Sequence, residues 1–268
     1  MQRCPRWADP IGATQTANKN AHAARAERQP AMSVSIEHSP LALPHSHVVP
    51  AYLLKTYWWA YVHPQAVRLF ERQWLVNAIL WGNFSKLRNL ALDALGKTVP
   101  GKTLQVACVY GDFSTRLMQR ISAGGNLDVV DVLPIQLKNL RTKLPADSGV
   151  QLYLRDSANL EFADASYDQA ILFFLLHEQP EAVRRRTLAE AIRVVRPGGK
   201  LVIVDYHLPT RTHPLRYLFR PILRWLEPFA LDLWERELAT WLPGEIAPEQ
   251  IAKETMFGGL YQKLVITR

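Results

Sequence analysis

Residues 103–114, Thr-Leu-Gln-Val-Ala-Cys-Val-Tyr-Gly-Asp-Phe-Ser, constrain this chain more than any other stretch. An apolar run, 104–109, lies between Pro100-Gly101 and Gly111-Asp112. A short apolar run bounded by turn residues is the pattern of a strand buried on both faces, although a buried helix shares it. From Ser114 onward, Leu117, Met118 and Ile121 recur at helical spacing. Strand, tight turn and helix form the opening unit of an open α/β sheet, and ligands bind outside the carboxyl ends of its strands. The turn carries a single glycine, Gly111, preceded by Cys108, Val109 and Tyr110.

The alternation continues. Residues 126–132 read as a second strand ending in Asp131, 133–144 as a helix, and 150–154 as a third strand leading into Arg155-Asp156-Ser157-Ala158. Residues 169–176 read as a fourth strand with His177-Glu178-Gln179-Pro180 at its carboxyl end. A helix over 181–195, the turn Arg196-Pro197-Gly198-Gly199-Lys200 and a strand over 201–207 follow. Residues 251–256 and 260–267 are expected to close the sheet as antiparallel strands joined through Gly258-Gly259. Asp131 stands about 20 residues past the turn, where a carboxylate can accept hydrogen bonds from ribose hydroxyls. Asp156 reads equally well as an Asx-turn residue.

Two segments stand outside this pattern. Residues 51–95 hold many aromatic side chains, among them Tyr52, Tyr57, Tyr61, Trp74 and Trp81, in two or three helical segments, with Pro64 opening one of them. Such side chains suit a lid packed on the core or an interface with lipid or an apolar substrate. Residues 209–242 include a basic amphipathic stretch in which Arg216, Arg220 and Arg224 share one helical face, with Pro221 expected to kink or restart the helix. Arg184-Arg185-Arg186 reads as a solvated helix face. The expected layout is a mobile tail over 1–48 and one domain over 49–268, with a lid at 49–98 and an insertion at 208–245.

A net charge of +8 points to an anionic partner. Without a recognition motif or a dense Lys/Arg run, nucleic acid is not expected, and an anionic membrane surface is the other candidate. The two cysteines, Cys4 and Cys108, make no disulfide framework, and no apolar stretch is long enough for a transmembrane helix.

The turn at 111–114 resembles motif I of the class I S-adenosylmethionine-dependent methyltransferases that act on quinone rings. Gly111, Asp112 and Ser114 fit it, while Gln105 stands where an acid would be and Cys108, Val109 and Tyr110 replace a Gly-Gly-Thr run. Arg196-Pro197-Gly198-Gly199 resembles the same superfamily. The altered turn and the Leu-His-Glu-Gln-Pro strand end make residues 50–268 most similar to the rhodoquinone biosynthesis proteins. The resemblance implies a Rossmann-like methyltransferase fold with a mostly parallel seven-stranded sheet, and S-adenosylmethionine held at Gln105, Cys108, Val109, Tyr110, Gly111, Asp131, Val132, Asp156 and Ser157. It implies ubiquinone as substrate, a ring methoxy group replaced by an amino group from S-adenosylmethionine, and a manganese requirement. Tyr110, His177 and Glu178 are the candidate catalytic residues. Oxygen and imidazole ligands suit manganese, and His177, Glu178, Asp205 and His207 are the candidates at strand ends, with Asp112 an outlier. A peripheral position on the cytoplasmic face of an inner membrane is expected, mitochondrial in a eukaryote. A neutral Gln105 would no longer favour a methionine ammonium over the free amine that attack on a ring carbon requires. Two other readings stay open: a methyltransferase acting on a lipophilic quinone or phenol, and a non-catalytic cofactor-binding or membrane-scaffolding protein.

Overall fold

The computed structural model describes residues 49–268. The expected tail, 1–48, lies outside the described residues, as does Cys4. Five parallel strands form the body of one sheet: β1 (Lys102–Val106), β2 (Asn126–Asp131), β3 (Gln151–Leu154), β4 (Tyr167–Phe173) and β5 (Val195–Tyr206). β6 (Ile251–Met256) and β7 (Tyr261–Thr267) complete it antiparallel, in the order β3-β2-β1-β4-β5-β7-β6. The Gly258 and Gly259 link between the last two has φ of +62° and +87°, as the expected glycine turn requires. β1 is central: Leu104 pairs with Asp128 on one side and Ala170 on the other. Leu104, Ala170, Ile171, Leu172, Val202 and Ile203 are fully buried, which accounts for the apolar runs that mark these strands.

Both central strands stop earlier than their apolar runs. β1 ends at Val106, because Ala107 turns the chain at φ +72° and sends its N–H to the Val130 carbonyl. β4 ends at Phe173, because Phe174 takes φ +53° and Leu176–Glu178 winds into a 3-10 turn in place of the expected strand. Left-handed backbone costs a non-glycine residue about 1–2 kcal/mol. It occurs here at the carboxyl edge, where such strain accompanies a site.

The lid has more pieces than expected: α1 (Ala51–Thr56), a π-helical turn (Trp58–Val62), α2 (Pro64–Phe70), α3 (Gln73–Ile79) and α4 (Phe84–Leu95). Pro64 does open α2, where its missing N–H costs nothing, and the His63 ring caps the helix. α4 buries Phe84, Leu87, Arg88, Ala91, Leu92 and Leu95, the spacing of one helical face. The sheet's other crossover helices are α5 (Phe113–Met118), α6 (Pro134–Lys143) and α7 (Glu181–Val194).

The insertion contains α8 (Leu215–Leu226) and a single turn, α9 (Asp232–Glu235). α8 runs through Pro221 without a break, so the helix does not restart there. Arg184 is not part of a solvated face. It is fully buried, donates to the Leu176, Gln179 and Phe229 carbonyls at 2.9, 2.8 and 2.9 Å, and lies over the Trp241 ring. It ties the turn after β4 to the insertion. No helix among the described residues is long and apolar enough to cross a membrane.

Candidate functional site

The turn after β1 is braced from below. Gln105 is buried and donates to Ala107 O and Ser114 Oγ, both at 2.9 Å, so it holds the turn's shape and does not line the adjoining cavity. The Cys108 N–H donates to Asp131 Oδ2 at 2.8 Å, and the Leu133 N–H to Asp131 Oδ1 at 2.8 Å. Each carboxylate oxygen keeps a second lone pair, so Asp131 still has capacity for hydroxyl donors. Burial pushes its carboxyl up to about 6, against the lowering effect of these amides. Gly111 is left-handed, and a Cβ there would meet Gln73 Oε1 at 2.7 Å. Its N–H reaches Glu71 of the lid at 3.1 Å, and Lys143 bonds both its carbonyl and Glu71. The lid is thereby fastened to the turn. Asp112 lies outside this group: Arg88 and Arg116 hold its carboxylate at 2.6 and 2.9 Å.

Tyr110 leaves the turn and stacks between Tyr61 (5.7 Å, 7°) and Phe70 (5.9 Å, 23°). Its hydroxyl donates to Ala60 O and accepts from Gln136 Nε2, both at 2.8 Å. Beside it opens a cavity of about 540 Å³, within the usual size of a small-molecule site. Cys108, Val109, Tyr110, Asp131, Val132 and Ser157 line it, and so do His177 and Glu178. Gln105, Gly111 and Asp156 do not. Asp156 accepts its own loop's Ala158 N–H at 2.8 Å, the Asx turn its local sequence allowed. Arg155, its neighbour, lines the cavity instead.

At the far end the His177 ring is fixed by Asp205, whose Oδ1 meets Nδ1 at 2.9 Å. Nε2 points towards two carboxylates, Glu178 at 3.7 Å and Glu227 at 3.8 Å. The Tyr61 hydroxyl donates a hydrogen bond to Glu178. Burial alone would lower the His177 pKa, but the carboxylates of Asp205, Glu227 and Glu178 outweigh it and push it up to about 9. Burial pushes Glu178 up to about 8, opposed by His177 and the Tyr61 hydroxyl, and it raises Glu227 as well. Near neutral pH this pocket therefore stores protons. It pairs a cationic imidazole with buried carboxyl groups able to give or take one.

Of the four expected metal ligands, His177, Glu178 and Asp205 come together and His207 stands apart. Asp205 is spent on the Leu176, His177 and Tyr206 amides and on the His177 ring. His207 bonds Gly259 O through Nδ1 at 2.8 Å, while Nε2 faces Lys253 and Glu237 away from the cavity. Among the described residues no group of three or more His, Cys, Asp or Glu could hold a metal ion. The proposed quartet therefore does not fit manganese, and no chemical step is assigned to it.

Sequence reading missed Glu227, Arg155 and the role of Tyr61. Glu227 had one visible mark: it is the first acid after the acid-free stretch 208–226.

Residues 103–199 match the family model described as "Methyltransferase domain". A demethylmenaquinone methyltransferase of Renibacterium salmoninarum is 34% identical over 146 residues, covering 53% of this chain and 58% of that protein. A 2-methyl-6-phytyl-1,4-hydroquinone methyltransferase of Synechocystis is 31% identical over 138 residues, covering 50% of this chain and 41% of that protein. The chain thus spans about half the length of the curated relatives it matches. The N-methyltransferase NodS of Bradyrhizobium japonicum, solved with S-adenosyl-L-homocysteine, superposes with a TM-score of 0.51 at 15% identity, over 75% of this chain and 96% of that one. That likeness establishes the shared Rossmann-like methyltransferase fold. Over residues 103–199 the chain matches a methyltransferase domain, and over about half its length it is similar to methyltransferases of quinones and hydroquinones.

Proposed function

We propose that this chain binds S-adenosylmethionine over the ends of β1 and β2 and modifies the ring of a lipophilic quinone. One observation carries the reading: a single aromatic-walled cavity runs from Asp131 and Cys108, past Tyr110, to the buried His177, Glu178 and Glu227. Asp131 would accept the ribose hydroxyls, with Arg155 and Ser157 farther along the same edge. The stacked Tyr61, Tyr110 and Phe70 would hold a flat ring.

Bound S-adenosylmethionine supplies either a methyl group from its sulfonium or, in a second reading, its amino nitrogen. The quinone methyltransferases among the relatives favour methyl transfer to the ring. The proton inventory of the site favours the second reading, replacement of a ring methoxy group by an amino group as in rhodoquinone formation. A methoxy group leaves a ring with a proton, as methanol, and an entering amine gives one up. The N–Cα bond of the donor must then break, which an elimination completes by taking a proton from Cβ, forming a Cα=Cβ bond and returning a proton to the ring nitrogen. His177, charged beside Asp205, can donate the methanol proton, and Glu178 or Glu227, when ionised, can accept the proton of the entering amine. Methyl transfer to a ring carbon needs only the base. The neutral Gln105 below the turn also leaves no carboxylate there to hold the methionine nitrogen as an ammonium.

Incubation of the full chain with ubiquinone or demethylated quinones, using S-adenosylmethionine labelled with 13C in the methyl group and 15N in the amino group, tests both readings by mass spectrometry. Carbon label in the quinone means methyl transfer, and nitrogen label with loss of a methoxy group means amination. Neither label in any quinone would overturn the proposed function.

A further inference from the structure

All the exposed large hydrophobic side chains among the described residues except Phe257 fall in two segments, 54–81 and 217–225. Trp225 is 83% exposed, Tyr217 67% and Trp74 61%. The two segments meet, because the Trp81 ring lies 5.4 Å from Phe219 of α8. Ile79, Trp81 and Ile222 are exposed and also line the cavity, so this face surrounds its mouth.

α8 shows the design. Leu215, Phe219 and Leu223 recur every four residues and are buried against the core. Leu218, Ile222 and Trp225 form a second apolar row that is exposed. Arg220 and Arg224 lie beside that row and are exposed. A single-layer lid helix needs one apolar face; this one has two, with arginines along them.

The charge of the face is one-sided. Across 51–92 and 208–226 the only acid is Glu71, which is paired with Lys143. Lys55, Arg68, Arg72, Lys86, Arg220 and Arg224 are exposed and make no ion pair among the described residues. A second copy docked face to face would oppose cations with cations. An anionic lipid surface instead matches the cations with headgroups and the Trp and Leu side chains with the acyl boundary.

We propose that this face, α8 with the outer side of α1 to α3, docks on an anionic lipid bilayer and turns the cavity mouth towards the acyl chains. The exposed side chains and their charge carry this inference; only the delivery of quinone from the bilayer rests on the proposed function.

Co-sedimentation of the full chain with phosphatidylcholine vesicles, with and without phosphatidylglycerol, tests it. The protein is expected to pellet with the anionic vesicles and to be released by salt. Arg220→Glu with Arg224→Glu should lower the partition coefficient about tenfold or more. Leu218→Ser with Trp225→Ser should lower it comparably, with an unchanged circular dichroism spectrum because these side chains are exposed. Absence of wild-type binding, or binding that both double variants retain in full, would overturn the proposal. So would a wild-type dimer that the Trp225 variant dissolves in the absence of any vesicle binding, since a second copy would then cover the face. Vesicle binding is read without quinone or S-adenosylmethionine. Quinone turnover in detergent without vesicle binding sinks this proposal alone, and vesicle binding without turnover sinks the proposed function alone.

Discussion

The floor of the cavity and its cover are built by opposite rules. On the floor, polar side chains are buried and two of them are held by many partners: Asp205 is fully buried and accepts three amides and an imidazole, and Arg184 donates to three carbonyls. On the cover, large apolar side chains face outwards and the cations stand without acids. Stripping either of these groups of its buried partners would be costly, so their positions are set by the fold. The cover's side chains are left for something outside it. At the turn, Glu71 to Lys143 and to Gly111, the Tyr110 hydroxyl to Ala60 O, and Arg88 to Asp112 fasten the two together.

The largest expected effect is on the floor. Asp205→Ala leaves three buried amides and a cationic imidazole without their acceptor, which should cost about 3–5 kcal/mol in chemical denaturation and abolish turnover. Trp74→Ser on the cover should change stability by no more than about 0.5 kcal/mol. Equal losses from the two would erase the distinction. Next comes Tyr61→Phe, which removes the hydroxyl donated to Glu178. Turnover should fall about ten- to a hundredfold, and the kinetic pKa assigned to Glu178 should move above about 8, because that hydrogen bond lowers it. An unchanged pH profile would detach Tyr61 from the proton store.

The pH dependence of stability sharpens the contrast further. The folded state holds the His177 proton more tightly than the unfolded chain, with a pKa raised from 6.5 to about 9. That stabilisation is complete below the unfolded value and is lost as pH rises through about 9. Glu178, raised from 4.5 to about 8, acts in the same direction over a lower window. Thermal unfolding should therefore shift to lower temperature between about pH 5 and 9, and His177→Gln should flatten the upper part of that slope. Between these extremes lies Glu71→Gln, which weakens a half-buried pair and should cost about 1 kcal/mol. A loss as large as that of Asp205→Ala would make the fastening part of the floor.

The architecture was legible because each strand is a short apolar run between turn residues and Gly258-Gly259 marks a reversal, whereas Arg196-Pro197-Gly198-Gly199, expected as a turn, falls inside β5 beside a register irregularity. Strand-end position placed Asp131, His177 and Glu178 at the cavity. What sequence could not show was competition from the backbone. Asp205 looks like a ligand until the Leu176, His177 and Tyr206 amides are seen to claim it. Asp156 is taken by its own loop, and Gln105 by the turn it braces. Arg184 looks like one of three solvated arginines until carbonyls from the turn and the insertion close round it. Glu227 and Tyr61 reach the site from segments far apart in the chain, and nothing in their local sequence announces the meeting.

The measurement closest to the centre of this account is a calorimetric titration of S-adenosylmethionine and S-adenosylhomocysteine into the full chain and into Asp131→Asn. One molecule should bind the wild type, and the variant should bind about ten- to a hundredfold more weakly, the loss expected when a charged acceptor no longer meets two hydroxyl donors. No binding to the wild type, or equal affinity in the two proteins, would contradict the placement of the cofactor at the ends of β1 and β2.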